Sequence, residues 1–185
     1  MIQLSVLICT LEDRKLLFEI LKAELNRQVD ECEGEVQILP KCDAGQMSIG
    51  EKRNWLLDHA KGQYLCFVDD DDWVDIEYIS KILKAIETEP DVVQMIGIMN
   101  TNGFSQKRFE HSIRHWKYFE QMNIFYRPPN HLNPIRSSIA KQFKFPKTNH
   151  GEDTDWALQI RNSGLLVTEE SIDKPIYHYR YSSQK

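Results

Sequence analysis

No stretch of this chain is apolar for long enough to cross a bilayer. The opening MIQLSVLICT comes nearest and falls well short of the about 20 residues a transmembrane helix needs. It also lacks the basic lead-in and small-residue cleavage site of a signal peptide, so it reads as a buried strand. CxxC pairs are missing too. The four cysteines, Cys9, Cys32, Cys42 and Cys66, are scattered, which argues against a zinc site or a disulfide framework and for a reducing, cytoplasmic setting. Positive charge is not in excess: a formal net charge of -5 gives no general attraction to nucleic acid or anionic lipid. Repeats, low-complexity tracts and linkers are absent. What is left, 185 residues with 41% hydrophobic and 28% charged, suits one soluble globular domain with its own core.

The first half alternates strand and helix patterns. Residues 3–9 (QLSVLIC) read as a strand buried on both faces. Residues 12–27 follow as a helix with Leu17, Ile20, Leu21 and Leu25 on one face. Glu35 to Leu39 reads as a second strand, stopped by Pro40. Ser48-Ile-Gly-Glu51 is a capping box that opens a helix running to about Lys61. Tyr64 to Val68 is a third strand, 75–87 a helix, and Asp91 to Ile98 a fourth strand. This order predicts an α/β fold, an open, mostly parallel Rossmann-type central sheet with helices on both faces. Ligands of such sheets bind beyond the carboxyl ends of the strands.

Four consecutive carboxylates, Asp69, Asp70, Asp71 and Asp72, stand directly after the third strand. Helix capping would use one or two of them. In an extended segment Asp69 and Asp71 project to one side, where they could hold a hard divalent cation through oxygen. Arg53 falls within the apolar stripe of its helix, set by Ile49, Leu56, Leu57 and Ala60, and an inward guanidinium needs anionic partners. A salt bridge to a strand-end aspartate and a contact with a nucleotide phosphate both satisfy that need. In Gly151-Glu-Asp-Thr-Asp-Trp156, Asp153 shares the inward face of a helix with Trp156 and Ala157, as a buried cap or a working base. His59, His111, His115, His131 and His150 read as surface or loop residues, whereas His178 could return to a metal site.

These segments together resemble the family 2 glycosyltransferases. The resemblance rests on SVLICT, on SIGEKRNWLLDHAKGQYLCFVDDDDWV with its D-x-D cluster, on GEDTDWALQIRNSG and on the closing YHYRY. It implies the GT-A fold over 1–185, with a nucleotide-sugar half to about residue 100 and an acceptor and catalytic-base half after it. The implied reaction is inverting transfer from a nucleotide-sugar, usually a UDP-sugar, assisted by Mn²⁺ or Mg²⁺. By position, Thr10 and Glu12 would line the nucleotide pocket, Asp43 would approach the uracil, and Arg53 would face the nucleotide. Asp69 would contact the donor ribose or a water on the metal, with Asp70 beside it. Asp71 would ligate the metal, His178 would be a further ligand, and Asp153 would be the general base. The family's usual ending of the first strand is replaced by Cys-Thr-Leu-Glu, and its acidic, glycine-rich turn appears only as Lys41-Cys-Asp-Ala-Gly45.

Two other classes compete. A phosphohydrolase with a nucleophilic first aspartate normally carries its D-x-D after the first strand, with a small residue where Trp73 stands. A non-catalytic sugar- or nucleotide-binding module would have no need of an inward base such as Asp153. The acceptor is left open among a glycan, a lipid-linked sugar, a protein and modified nucleic acid. The mixed basic and aromatic stretch 103–127 is its candidate platform, or else an ordinary strand pair.

Overall fold

The structure, a computed structural model, describes residues 1–181. Two mixed sheets carry the fold. Its strands are β1 (Leu4–Leu11), β2 (Val36–Asp43), β3 (Tyr64–Phe67), β4 (Trp73–Val74), β5 (Val92–Val93), β6 (Met95–Thr101), β7 (Ser105–His111), β8 (Phe119–Gln121), β9 (Ile124–Arg127), β10 (Ile135–Arg136), β11 (Glu169–Glu170) and β12 (Tyr177–Tyr181). Its helices are α1 (Lys15–Asp30), α2 (Ile49–His59), α3 (Tyr78–Ile86), α4 (Ser137–Ala140) and α5 (Glu152–Ser163).

The first sheet has the order β11-β5-β10-β3-β1-β2. β1 pairs in parallel with β2 on one side and β3 on the other, so the chain changes direction at β1. A crevice opens beyond the carboxyl ends of β1 and β3 at such a switch point. The strands are buried on both faces because α1 and α3 cover one side, packing Phe18, Leu21, Ile79 and Ile82 against Leu4, Val6 and Ile8. On the other side Leu56, Leu57 and Trp156, from α2 and α5, pack on Leu7, Leu65 and Phe67. The expected sheet with helices on both faces is therefore present.

Local expectations needed three corrections. β2 does not stop at Pro40 but runs through it to Asp43. It is the edge strand, so the missing N–H of proline faces away from its only neighbour. α1 buries Phe18, Leu21, Leu25 and Gln28, leaving Leu17 and Ile20 40% and 49% exposed. The helix is turned so that Gln28 can reach α3, where its amide donates to the Asp75 carbonyl and accepts from the Ile79 N–H. The fourth strand divides at Gln94, with Val92–Val93 in the first sheet and Met95–Thr101 in the second.

That second sheet, ordered β4-β12-β6-β7-β9-β8, had no signal in the sequence as a separate layer. It gathers the irregular stretch 103–127 into β7, β8 and β9 and pairs the C-terminal β12 in parallel with β6.

Candidate functional site

The four aspartates follow β3 as the chain leaves the buried sheet, and each has its own partner. Asp69 Oδ1 accepts from Arg53 Nη2 at 3.0 Å. Arg14 Nη2 lies 3.0 Å from Asp70 Oδ1 and 2.7 Å from Asp71 Oδ2. Asp72 Oδ2 accepts from the Tyr177 hydroxyl at 2.7 Å, and its Oδ1 accepts from the Arg180 N–H at 2.7 Å. None of the four caps the next helix; Asp72 instead ties the loop to β12. Burial alone would raise the Asp69 carboxyl, but the Arg53 guanidinium and His131 outweigh it and hold it well below the usual range. Asp72 is pushed the other way, by burial and by the neighbouring Asp69 charge. Burial likewise raises Asp70, opposed by a hydrogen bond to Thr10 and by the Arg14 charge.

α2 supplies two buried cations. It starts with the expected capping box: the Ser48 hydroxyl accepts from the Glu51 N–H, and the Glu51 carboxylate accepts from the Ser48 N–H. One turn in, Lys52 pairs with Asp43 at 2.5 Å and donates to the Thr10 carbonyl at 2.9 Å, joining the ends of β1 and β2. Arg53 is 4% exposed. It donates to Asp69 and, at 3.3 Å, to Glu152, and its guanidinium lies over the rings of Phe67 and Phe145.

Asp153 sits in the first turn of α5. Gly151 adopts a left-handed φ of 76° at the helix start, and no side chain caps the N-terminus there. Asp153 instead faces a cavity of about 80 Å³, which Asp69, His131, Arg127, Phe125 and Tyr179 also line. His131 stands between the two carboxylates, with Nε2 3.5 Å from Asp69 and Nδ1 3.6 Å from Asp153. The geometry joins the β3 loop, the α5 helix and the face of the second sheet at one place.

Comparison with known proteins decides what kind of chain carries this arrangement. The profile described as Glycosyl transferase family 2 matches residues 45–150, more than half of the sequence. The chain belongs to glycosyl transferase family 2. No curated protein matched this family 2 chain in sequence. Among solved structures it is similar to S. aureus TarS 1-349 in complex with UDP-GlcNAc, at a TM-score of 0.68 and 17% identity over 97% of this chain and 59% of that one. It is also similar to TarS 1-349 in complex with UDP, at a TM-score of 0.66 and 17% identity over 98% and 61%. The family 2 chain thus spans about 60% of the length of TarS 1-349. At this identity the likeness establishes a shared fold of the glycosyltransferase GT-A type.

Within the family 2 domain, Thr10, Asp43, Arg53, Asp69, Asp70 and Asp71 all gather at the carboxyl ends of β1, β2 and β3. Glu12 is exposed in a short 3-10 turn, Glu12–Arg14, at the rim. His178 does not join the carboxylates. It is opposite Trp73 in the β4–β12 ladder and lines a second cavity with Trp73, Asn100 and Arg180, a cavity that Asp69, Asp70 and Asp71 do not line. The surface or loop reading of His111 is corrected, since it is buried in β7 at 1% exposure, whereas His131 lies in a loop as expected but is only 5% exposed. Four partners were missed altogether: Arg14, Lys52, His131 and Glu152. Lys52 carried a signal, being next to Arg53 on the turn that faces the strand ends. His131 lies between Pro129 and Pro134 in a segment without periodicity, and nothing local marks it.

The carboxylates fit a hard divalent cation. Their donor atoms are all oxygen, and buried Asp70 Oδ2 has no hydrogen-bond partner among the described residues. No group of three or more His, Cys, Asp or Glu side chains among the described residues is arranged to hold a metal ion by itself. Mg²⁺ sites commonly use only one or two carboxylates, with water and substrate phosphate completing the shell.

Proposed function

We propose that this domain is a metal-dependent inverting glycosyltransferase that moves a sugar from a nucleotide-sugar, a UDP-sugar, to an acceptor hydroxyl. The observation that carries the reading is that Asp69 and Asp153, from opposite halves of the sequence, line one cavity with a single imidazole between them. The UDP assignment is supported by family membership and by the binding of UDP-GlcNAc and UDP in the TarS crystals. Free Cys9, Cys32, Cys42 and Cys66 support a reducing, cytoplasmic setting. No helix among the described residues is long and apolar enough to cross a membrane.

In this reading Thr10, Asp43 and Asp70 line the nucleotide pocket, with Glu12 at its rim. Lys52 neutralises Asp43 and fixes its direction. Arg53 orients Asp69 toward the donor ribose. Asp71, with Asp69, would hold Mn²⁺ or Mg²⁺, which neutralises the charge gathering on the leaving diphosphate. Asp153 takes the proton of the acceptor hydroxyl as its oxygen bonds to the anomeric carbon and the bond to the diphosphate breaks. Attack from the Asp153 side, opposite the leaving group, inverts the anomeric centre. His178 is given no metal role in this scheme, which places the ion on the aspartates after β3.

The test is a calorimetric titration with UDP-GlcNAc, UDP-glucose and GDP-mannose, with and without Mn²⁺. UDP-sugars should bind more tightly with the metal, and Asp71→Ala should remove that metal-dependent gain. Asp153→Asn should keep donor affinity while sugar transfer or donor hydrolysis falls about 10²–10⁴-fold. Failure of every nucleotide-sugar to bind, or full turnover by Asp153→Asn, overturns the reading.

A further inference from the structure

Arg127 is the only arginine or lysine among the described residues lining the cavity that Asp69 and Asp153 share. It is half-buried at the end of β9 and is a member of none of the ion pairs among the described residues, although Asp69 and Asp153 line the same cavity. It rests between aromatic rings instead, 5.4 Å from the centre of Tyr118 and 5.9 Å from that of Phe125. Its backbone is fixed: the strand pairs Arg127 with His111, and the Arg127 carbonyl accepts from the Ser112 N–H. Pro128 and Pro129 follow immediately and stiffen the exit from the strand.

Every other cation around the carboxylates is neutralised. Arg53 has Asp69 and Glu152, Lys52 has Asp43, and Arg14 has Asp70 and Asp71. A partly desolvated guanidinium without a directly paired anion is unfavourable. Its planar fork is suited to a phosphate or carboxylate, which it can grip with two parallel hydrogen bonds.

We propose that Arg127 binds an anionic group of the acceptor, so that the acceptor class is a hydroxyl compound carrying a phosphate or carboxylate close to the hydroxyl that reacts. The proposal rests on the glycosyltransferase reading. It follows from the position of Arg127 on the second sheet, in the cavity that Asp153 lines, while Asp69 is the one donor-side residue that reaches it and Thr10, Asp43, Lys52 and Asp71 do not. An anion on Arg127 would share this one cavity with Asp153, which keeps the anion and the reacting hydroxyl close together. A sugar phosphate and a uronic acid both meet that geometry. Phe125 and Tyr179 supply apolar faces on which a sugar ring can rest.

The experiment uses three probes that share a hexopyranose ring, glucose, glucose 6-phosphate and glucuronic acid, titrated by calorimetry or NMR into the protein saturated with UDP and Mn²⁺. At least one anionic probe should bind about tenfold or more tightly than glucose, and the preference should weaken as salt is raised. The stronger of the two anions identifies phosphate or carboxylate as the source. Arg127→Gln should erase the preference and Arg127→Lys should keep part of it, with both variants melting as the wild type does and binding UDP unchanged. Equal binding of all three probes while UDP binds normally overturns the proposal and leaves the donor reading intact. So does a loss of UDP affinity in Arg127→Gln with the probes unaffected, which would move Arg127 to the donor. Failure of UDP itself to bind refutes the glycosyltransferase reading, and the proposal with it.

Discussion

Asp69 and Asp153 face each other across one imidazole: His131 Nε2 is 3.5 Å from Asp69, and His131 Nδ1 is 3.6 Å from Asp153. Neither ring nitrogen makes a hydrogen bond among the described residues, so His131 stands in reach of both carboxylates and can pair with either after a small shift. The His131 carbonyl also accepts from the Phe67 N–H at 2.8 Å, which fixes the loop to the end of β3 whatever the side chain. His131→Asn should therefore fold and bind UDP-sugar within about threefold of wild type, while turnover falls about 10–100-fold through loss of positioning. Steady-state kinetics separate the two effects. An unchanged kcat would reduce His131 to packing.

Arg53 is expected to matter for stability as much as for binding. Removing it leaves Asp69 and Glu152 partly or fully buried without their cation, a defect of about 3–5 kcal/mol. Arg53→Met should lower the melting temperature by many degrees, and the double variant Arg53→Met/Glu152→Met should recover part of the loss. If the double variant is no better than the single one, the Arg53–Glu152 pair is not coupled, and the stability loss comes from the aromatic contacts.

Acid should weaken this fold well above the usual carboxylate range. His111 is buried, and burial, together with the charges of Arg127 and His131, pushes its imidazole down to about 3. An unfolded histidine takes up a proton near pH 6.5, whereas the folded one does not until about pH 3. Its contribution is complete above pH 6.5 and is lost as the pH falls through that window, at up to about 1.4 kcal/mol per unit. Denaturant melts at pH 7 and pH 5 should differ by about 2 kcal/mol from this group alone. His111→Phe should be less stable at pH 7 but should lose that part of the pH dependence. A slope equal to that of the wild type would contradict the assignment.

Gly50 sets how closely α2 approaches the loop before α5. A Cβ there would lie 1.8 Å from the Pro146 carbonyl oxygen, and the Gly50 N–H donates to the Thr148 carbonyl at 3.1 Å. Gly50→Ala must push the two apart, at a cost of about 2 kcal/mol or more. Because Arg53 and Glu152 lie just beyond this contact, the substitution should also weaken donor binding. A neutral effect in thermal melts and in UDP titration would rule out this coupling.

Much of the donor side was legible because its signals are local. The capping box from Ser48, the inward position of Arg53 and the acidic run after β3 depend on neighbours a few residues apart, where periodicity and capping chemistry act. The Asp153 helix was legible for the same reason, bounded by Gly151 and Gly164, both with positive φ. α1 was misjudged because Gln28, not an apolar residue, decides its rotation through bonds to α3. Pro40 was misjudged because only strand order reveals that β2 is an edge.

By itself, the sequence determined the α/β alternation and the strand ends at which the carboxylates gather. Only the tertiary structure decided which charges meet. Arg14 reaches Asp70 and Asp71, Glu152 joins Arg53, His131 comes between Asp69 and Asp153, and Arg127 faces the same cavity with no ion pair among the described residues. Periodicity specifies which face of an element is buried. The partner across that face depends on strand order and on the second sheet, which are set by contacts between residues far apart in the chain.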